Sequence, residues 1–200
     1  MRMLTKTRRR LGGFLAALLV VGAVACGEKP TVLKEVALAD VRVKANAGDA
    51  GAQTSLGVAY DKGEGVPQDY TQAAAWYRKA AEKGYAVAQD NLGQMYALGQ
   101  GVSQDYVQSV EWWRKAADQG YAGALYNLGV MYSSGQDGPQ DYVESHKWHN
   151  LAASRASAED QKQYAESRDA VAKLLTPKQL ADAQQRATAW LAAFEKRGGR

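Results

Sequence analysis

The chain has few of the residues that define several whole classes of protein. Its 200 residues include one Cys, four Pro and two Phe. A single Cys cannot form an intrachain disulfide, so a disulfide-stabilised scaffold is excluded. The 20 Gly and the charged fraction of 23% are ordinary for soluble proteins, which excludes collagen-like and wholly disordered chains. The length and composition instead fit one globular or solenoid domain with a usable hydrophobic core.

The formal net charge of +4 is unevenly distributed along the chain. Residues 1–25 contain five of the 25 basic residues and no acidic residue: Arg2, Lys6, Arg8, Arg9 and Arg10. The rest of the chain therefore carries 20 basic and 21 acidic residues, a net charge of −1. Because nucleic-acid binding needs a basic surface, we expect no nucleic-acid partner.

The N-terminal segment has the order of a secretory signal peptide. A basic start is followed by a stretch of apolar residues and Gly from Leu11 to Val24, and small residues close the segment. This stretch is shorter than the roughly 20 residues that a membrane-spanning helix needs. We therefore predict that residues 1–25 are a signal peptide and that the chain is exported.

Two cleavage sites compete at the end of this segment. Ala23-Val24-Ala25 is a site for ordinary signal peptidase, and Cys26 follows it directly. The same stretch resembles the bacterial lipobox, whose cysteine thiol takes a diacylglyceryl group, although the lipobox prefers Leu where Ala23 stands. The resemblance implies that Cys26 is lipidated, that residues 26–32 link it to the first helix, and that Gly27 directs the protein to the outer membrane, facing the periplasm. The alternative is a free Cys26 on a soluble periplasmic or secreted protein.

A 36-residue repeat organises the rest of the chain. Gly57, Gly93 and Gly129 are each 36 residues apart. The same period relates Ala52/Ala88/Ala124, Leu56/Leu92/Leu128, Tyr60/Tyr96/Tyr132, Asp69/Asp105/Asp141, Tyr70/Tyr106/Tyr142, Trp76/Trp112/Trp148 and Ala80/Ala116/Ala152. Self-similarity at such a period is typical of solenoid proteins.

Each repeat predicts two helices. The first helix has Ala52, Leu56 and Tyr60 at four-residue spacing, which is one face of an amphipathic helix. The second helix begins at Asp69, and Gln72 follows three residues later, which is the spacing of a capping box.

One such helix pair cannot bury its apolar face alone, so successive pairs must stack, with Trp and Tyr filling the gaps where Ala and Gly allow close approach. We therefore predict an all-α fold, an α/α-solenoid of about three 36-residue helix-turn-helix repeats over residues 48–155. Residues 33–47 are predicted to form an N-terminal capping helix. Residues 156–200 are predicted to form a degenerate fourth helix pair and a C-terminal tail, with Thr176-Pro177 at the start of the last helix.

The motifs LG-x-x-Y, G-x-G-V, D-Y and W-x-x-KAA at this period resemble the Sel-one-like repeat, a relative of the tetratricopeptide repeat. In the first repeat they read Leu56-Gly57, Tyr60, Gly63-Glu64-Gly65-Val66, Asp69-Tyr70, Trp76 and Lys79-Ala80-Ala81. The resemblance covers about residues 45–195 and implies a non-enzymatic adaptor or scaffold for protein–protein interaction. Together with the lipobox, it predicts an exported bacterial member that is lipid-anchored and binds another envelope protein or peptide. The alternatives are a structural element that binds peptidoglycan, and an enzyme that acts on β-lactam or cell-wall substrates.

Residues that could carry chemistry are few. His146 and His149 could offer two nitrogens to a metal, but further ligands are missing, and substitution at a packed or half-exposed repeat position is the simpler interpretation. Asp69, Asp105 and Asp141 share a helix-capping position, which explains them without catalysis. Nucleophile-elbow and phosphate-loop motifs do not occur. We therefore predict no catalytic residue, no metal site and no cofactor.

A binding face is predicted from the geometry of the first helix. Positions 54, 58 and 61 lie about 200° around that helix from the repeated apolar stripe and should point away from the core. In related solenoids the first helices line the concave groove. The candidate ligand contacts on this concave face are Asp90, Gln94, Tyr126 and Val130. The alternative is a plain solvated helix surface.

Overall fold

The computed structural model describes residues 30–199, with side chains from residue 38 onward. The predicted signal peptide and Cys26 lie outside this part of the chain. The described part contains nine α-helices and no strand. The helices are α1 (Pro30–Asn46), α2 (Ala50–Lys62), α3 (Tyr70–Ala81), α4 (Ala86–Leu98), α5 (Tyr106–Ala117), α6 (Ala122–Ser134), α7 (Tyr142–Arg155), α8 (Gln161–Ala172) and α9 (Pro177–Lys196).

The helices stack in the order of the chain. Each helix from α1 to α7 packs against the next one, and α9 packs onto α7. Helices α2, α4 and α6 are the first helices of the three repeats, and α3, α5 and α7 are the second helices. The predicted all-α solenoid of three helix-turn-helix repeats is therefore confirmed.

Repeated caps separate the two helices of each repeat. The first helices end at Gly63, Gly99 and Gly135, whose φ angles of 72°, 67° and 69° are left-handed and favour glycine. The second helices begin at an Asp whose carboxylate accepts a backbone N–H three residues later, as Asp69 does from Gln72 at 3.0 Å. The backbone N–H of Asp69 donates to the carbonyl oxygen of Tyr60, so a tight loop, rather than the Gln side chain, completes the cap. A complete capping box occurs only at Thr176, within the described helices.

The repeated glycines of the first helices make room for an aromatic ring from the second helix. A Cβ added at Gly93 would lie 2.6 Å from Nε1 of Trp113, and Gly57 and Gly129 meet Tyr77 and His149 in the same way. All three rings are buried. The residue after the repeated Trp therefore fills the gap between the two helices.

Two of the three repeated Trp residues are less buried than their periodicity predicts, whereas Trp148 is buried. Trp76 and Trp112 are only partly buried, and the Nζ atoms of Lys79 and Lys115 lie 3.8 and 3.9 Å from the centres of their rings. Because these rings are only partly buried, one face can remain open to the neighbouring Lys ammonium group.

Hydrogen bonds also join successive repeats. Arg78 donates to the Tyr96 hydroxyl at 2.7 Å, and Arg114 makes the equivalent bond to Tyr132 at 2.8 Å. At the N-terminal end, Gln53 donates to the carbonyl oxygen of Ala45 in α1 at 3.1 Å. Gln89 makes the same bond to Ala81 of α3, so α1 occupies the place of a second helix that precedes the first repeat.

Candidate functional site

Helices α4 and α6 of adjacent repeats enclose an open cavity of about 490 Å³, here called the α4–α6 cavity. Its lining includes Gln94, Leu98, Trp113, Asn127, Val130 and Met131. Leu98 and Val130 are 64% and 40% exposed, so two large apolar side chains of this lining are open to solvent. The cavity therefore combines an apolar wall with amide groups at its edge, as ligand-binding pockets commonly do.

Two of the four residues predicted as ligand contacts line this cavity. Gln94 is exposed on α4, and Val130 is exposed on α6. Tyr126 is half-buried one turn before Val130, and its ring lies outside the cavity lining.

The expectation that Asp90 points away from the core is wrong. Asp90 is only 4% exposed, and Thr54 at the same repeat position is also buried. The repeated apolar stripe is only one of the buried sides of a first helix: Ala52 and Leu56 pack with Ala45 of α1, and Gly57 meets Tyr77 of the repeat's own second helix. The carboxylate of Asp90 instead faces the next first helix, where Asn127 of α6 donates to its Oδ1 at 2.9 Å. Each first helix thus has two buried sides and a narrower exposed strip.

The environment of Asp90 favours the protonated carboxyl. Burial raises its pKa to about 6, although the hydrogen bonds from Asn127 and Gln94 act in the opposite direction. Gln94 donates to Oδ2 at 3.2 Å, and the indole N–H of Trp113 donates to the backbone carbonyl of Asp90 at 3.2 Å. The Asp90 carboxylate thus accepts hydrogen bonds from Gln94 and Asn127, which both line the α4–α6 cavity.

Three tyrosines gather near Asp90, namely Tyr121, Tyr126 and Tyr164. The rings of Tyr126 and Tyr164 are stacked, with their centres 4.5 Å apart and their planes at 18°. A Cβ added at Gly123 would lie 2.9 Å from Cε1 of Tyr121 and 3.3 Å from Oδ2 of Asp90, so Tyr121 and Asp90 flank this glycine together. All three tyrosines are partly exposed.

Tyr121 and Tyr164 do not stand out as site residues in the sequence. Tyr121 precedes α6 at a position that Asp49 and Tyr85 occupy in the other repeats, and a position that varies in this way carries little signal. Tyr164 lies in α8, outside the three repeats, so the 36-residue period says nothing about it.

His146 and His149 are both buried, and His149 packs against Gly129 as Tyr77 packs against Gly57. Burial and the neighbouring His146 lower the pKa of His149 to about 4, so its ring is neutral at physiological pH. Among the described residues, His, Cys, Asp and Glu side chains form no group of three or more that could hold a metal ion. The two histidines are therefore repeat core residues in this structure.

The predicted caps at Asp69, Asp105 and Asp141 are present, and each carboxylate accepts a backbone N–H at 2.9 to 3.0 Å. No helix in residues 30–199 combines the length and hydrophobicity that crossing a membrane requires. Cys26, the predicted lipidation site, lies outside the described residues, so its modification stays a prediction.

Comparisons with known proteins agree with the repeat seen in the structure. The Sel1 repeat matches three times, at residues 50–85, 86–121 and 122–157. The chain is 33% identical to c5321, a protective antigen of uropathogenic Escherichia coli with an SLR fold, with a TM-score of 0.73 over 90% of this chain and 37% of that one. It is 32% identical to a Sel1 repeat protein from Oxalobacter formigenes, with a TM-score of 0.54 over 68% of this chain and 57% of that one. The chain thus spans less than two thirds of either relative, and no curated protein matches it.

Proposed function

Because the chain belongs to the Sel1 repeat family, whose members are generally protein-interaction scaffolds, we propose that it is a non-enzymatic adaptor of the bacterial cell envelope. Its partner is a protein or peptide that inserts an apolar side chain into the α4–α6 cavity. The order of residues 1–26 supports export and lipid anchoring at Cys26.

The observation that carries this proposal is the pair of exposed apolar side chains in the cavity. Leu98 and Val130 face a space of about 490 Å³, and burying them against a partner would remove their apolar surface from water. Gln94 and Asn127 stand at the edge and supply amide groups that can pair with the backbone of an extended segment.

Site-specific photocross-linking in intact cells tests the proposal. A photoreactive amino acid replaces Val130 in one strain and Val43 in another, within the full-length chain. Both are exposed valines on helices, but Val43 lies on α1, before the first repeat, and is not among the residues that line the cavity. We expect a discrete cross-linked partner from position 130 and none from position 43. Equal products from both positions, or no product from position 130, would refute binding at the cavity.

A further inference from the structure

A second cavity has the same place in the repeat as the α4–α6 cavity, two repeats earlier in the chain. It lies between α1 and α2, has a volume of about 510 Å³ and is here called the α1–α2 cavity. Five of its eight lining residues lie 72 residues, two periods, before a residue that lines the α4–α6 cavity. These pairs include Ser55/Asn127, Val58/Val130 and Ala59/Met131. The solenoid therefore builds the same kind of cavity twice.

The α1–α2 cavity presents apolar side chains to solvent. Leu38 and Val41 of α1 and Val58 of α2 line it, and all three are half-buried. Val58 has the position in α2 that Val130 has in α6. The α1–α2 cavity can therefore bury an apolar side chain in the same way as the α4–α6 cavity.

The repeat between the two cavities is polar at this position. Gln94 of α4 stands where Val58 and Val130 stand in the other two repeats. Its side chain is exposed, and its amide group donates to Asp90 at 3.2 Å. Along α2, α4 and α6, two apolar positions thus flank a polar one.

The packing of the first helices sets the distance between the two cavities. Val58 of α2 packs against the core formed by α3 and α4, and Asn127 of α6 donates to Asp90 of α4, so the three first helices lie side by side. The axes of packed helices are about 10 Å apart, which separates α2 from α6 by about 20 Å. An extended chain spans this distance in about six residues. Because its side chains alternate in direction, two that are six positions apart point to the same side.

The loops beside both cavities carry negative charge. The loops that join each first helix to its second helix contain five acidic residues and no Lys, Arg or His. These loops are residues 63–69, 99–105 and 135–141. Among the described residues, none of these five carboxylates lies in an ion pair. Lys62 is the one basic residue that directly adjoins a loop in the sequence, so this edge of the solenoid keeps a net negative charge.

The negative charge lies at the cavities themselves. Glu64 is part of the lining of the α1–α2 cavity. Asp105 is exposed and lies between Gln104 and Tyr106, which both line the α4–α6 cavity. Complementary charge favours a partner with basic residues next to its apolar ones.

We propose that one extended, basic segment of the partner fills both cavities with two apolar side chains that are six positions apart. This inference rests on the proposed function and specifies the sequence of the partner. Gln94 lies below the middle of the segment, where its exposed amide can bond the partner's backbone. Once one anchor is bound, the second binds intramolecularly, which strengthens the association without any further contact.

Calorimetric titration with short peptides tests this inference. The protein is purified from cells that express the full-length chain. The acetylated, amidated probe Lys-Leu-Lys-Ala-Lys-Ala-Lys-Leu-Lys has two Leu six positions apart and reads the same in both directions. A one-anchor peptide has Ala in place of one Leu. A short-spaced peptide of the same composition, Lys-Ala-Leu-Lys-Lys-Lys-Leu-Ala-Lys, has its two Leu four positions apart. In a neutral peptide Gln replaces every Lys of the probe.

The probe should bind at least about tenfold more tightly than the one-anchor and short-spaced peptides, because only the probe reaches both cavities. It should bind at least about fivefold more tightly than the neutral peptide at low ionic strength. No binding of the probe up to about 5 mM, or equal binding of the probe and any of the other three peptides, would overturn the inference.

Variants of the chain test each cavity separately. Val58→Gln and Val130→Gln introduce the residue that α4 has at this position, so the repeat accommodates it. Each should lower the affinity for the probe by at least about fivefold, towards that of the one-anchor peptide. The control is Val43→Gln, which changes an exposed valine outside the cavity lining, on a different face of α1 from Val41, and should change the affinity by less than about twofold. Unchanged binding of the probe by the Val58→Gln chain would refute the second anchor.

The two proposals fail in different ways in intact cells. A photoreactive amino acid at Ser55, an exposed residue of the α1–α2 cavity, should cross-link the same protein as one at Val130. If position 130 cross-links a partner and position 55 does not, the adaptor function stands and the two-cavity segment is refuted. If position 130 cross-links nothing, the adaptor function at the α4–α6 cavity is refuted, whatever the peptides show.

Discussion

The substitution Asp90→Asn should make the protein more stable at neutral pH. Asp90 is 4% exposed, and burial raises its pKa from 3.8 to about 6. At pH 7 the folded protein therefore holds a carboxylate in a place that favours the neutral acid. Asn has nearly the same shape, carries no charge and keeps a carbonyl oxygen for the Asn127 amide.

The magnitude follows from the difference between the folded and unfolded pKa values. A rise of about two pKa units corresponds to about 3 kcal/mol, because each unit is worth 1.36 kcal/mol. A raised carboxyl pKa contributes stability below about pH 4, and that contribution is lost as the pH rises through about 6. The Asn amide group cannot accept the bond from Gln94, which offsets part of the gain. We expect the free energy of unfolding at pH 7.5 to rise by about 1 to 3 kcal/mol.

Urea denaturation of the wild-type and Asp90→Asn chains at pH 4, 5, 6 and 7.5 measures this effect. The stability difference should be small at pH 4 and should grow to its full value by pH 7.5. The control is Asp137→Asn, which changes an exposed loop carboxylate and should shift the stability by less than about 0.5 kcal/mol at every pH. A destabilised Asp90→Asn chain at pH 7.5, or a stability difference that does not change with pH, would refute the reasoning.

Three further predictions concern other parts of the chain. Gly93→Ala should destabilise the fold by about 1 to 3 kcal/mol in urea denaturation, because the added Cβ would meet the ring of Trp113. The control Ser55→Ala, on an exposed helix face, should change stability by less than about 0.5 kcal/mol. His149→Tyr places the residue of the first repeat at this position and should abolish the loss of stability that the wild-type chain shows as the pH falls from 6.5 to about 4. A buried His with a lowered pKa contributes stability above pH 6.5, and this contribution is lost as the pH falls through about 4. Thermal melts in which the variant loses as much stability in acid as the wild-type chain would contradict this prediction. Cys26→Ser should move the protein from the membrane fraction to the soluble fraction and remove the mass of a diacylglyceryl group, and continued membrane association would exclude lipid anchoring through Cys26.

The repeat architecture was predictable because each 36-residue unit contains the residues that end its first helix and begin its second. Gly63 ends a helix in a left-handed conformation, and Asp69 begins the next helix by accepting an early backbone N–H. These are local interactions, so three copies in the sequence suffice to identify them. The stacking order then follows, because each helix pair buries its apolar face against its neighbours.

The exposure of Asp90 was not predictable in the same way. A helical angle relates a residue to one buried stripe, but α4 packs both against its own second helix and beside α6. Thr54 is buried at the same position and satisfies its hydroxyl within its own helix, so it gives no signal in the sequence. The role of Tyr164 depends on how α8 folds back toward α6, which is a tertiary contact outside the period.

The comparison of the three repeats sets Asp90 apart. The same position holds Thr54 in the first repeat and Tyr126 in the third, and neither places a buried charge between helices. Only the second repeat has a carboxylate there, which costs up to about 3 kcal/mol at neutral pH. Folding alone would favour an uncharged residue at this position. Asp90→Asn should therefore stabilise the chain at pH 7.5 because it removes the buried charge and keeps an oxygen that accepts the hydrogen bond from Asn127.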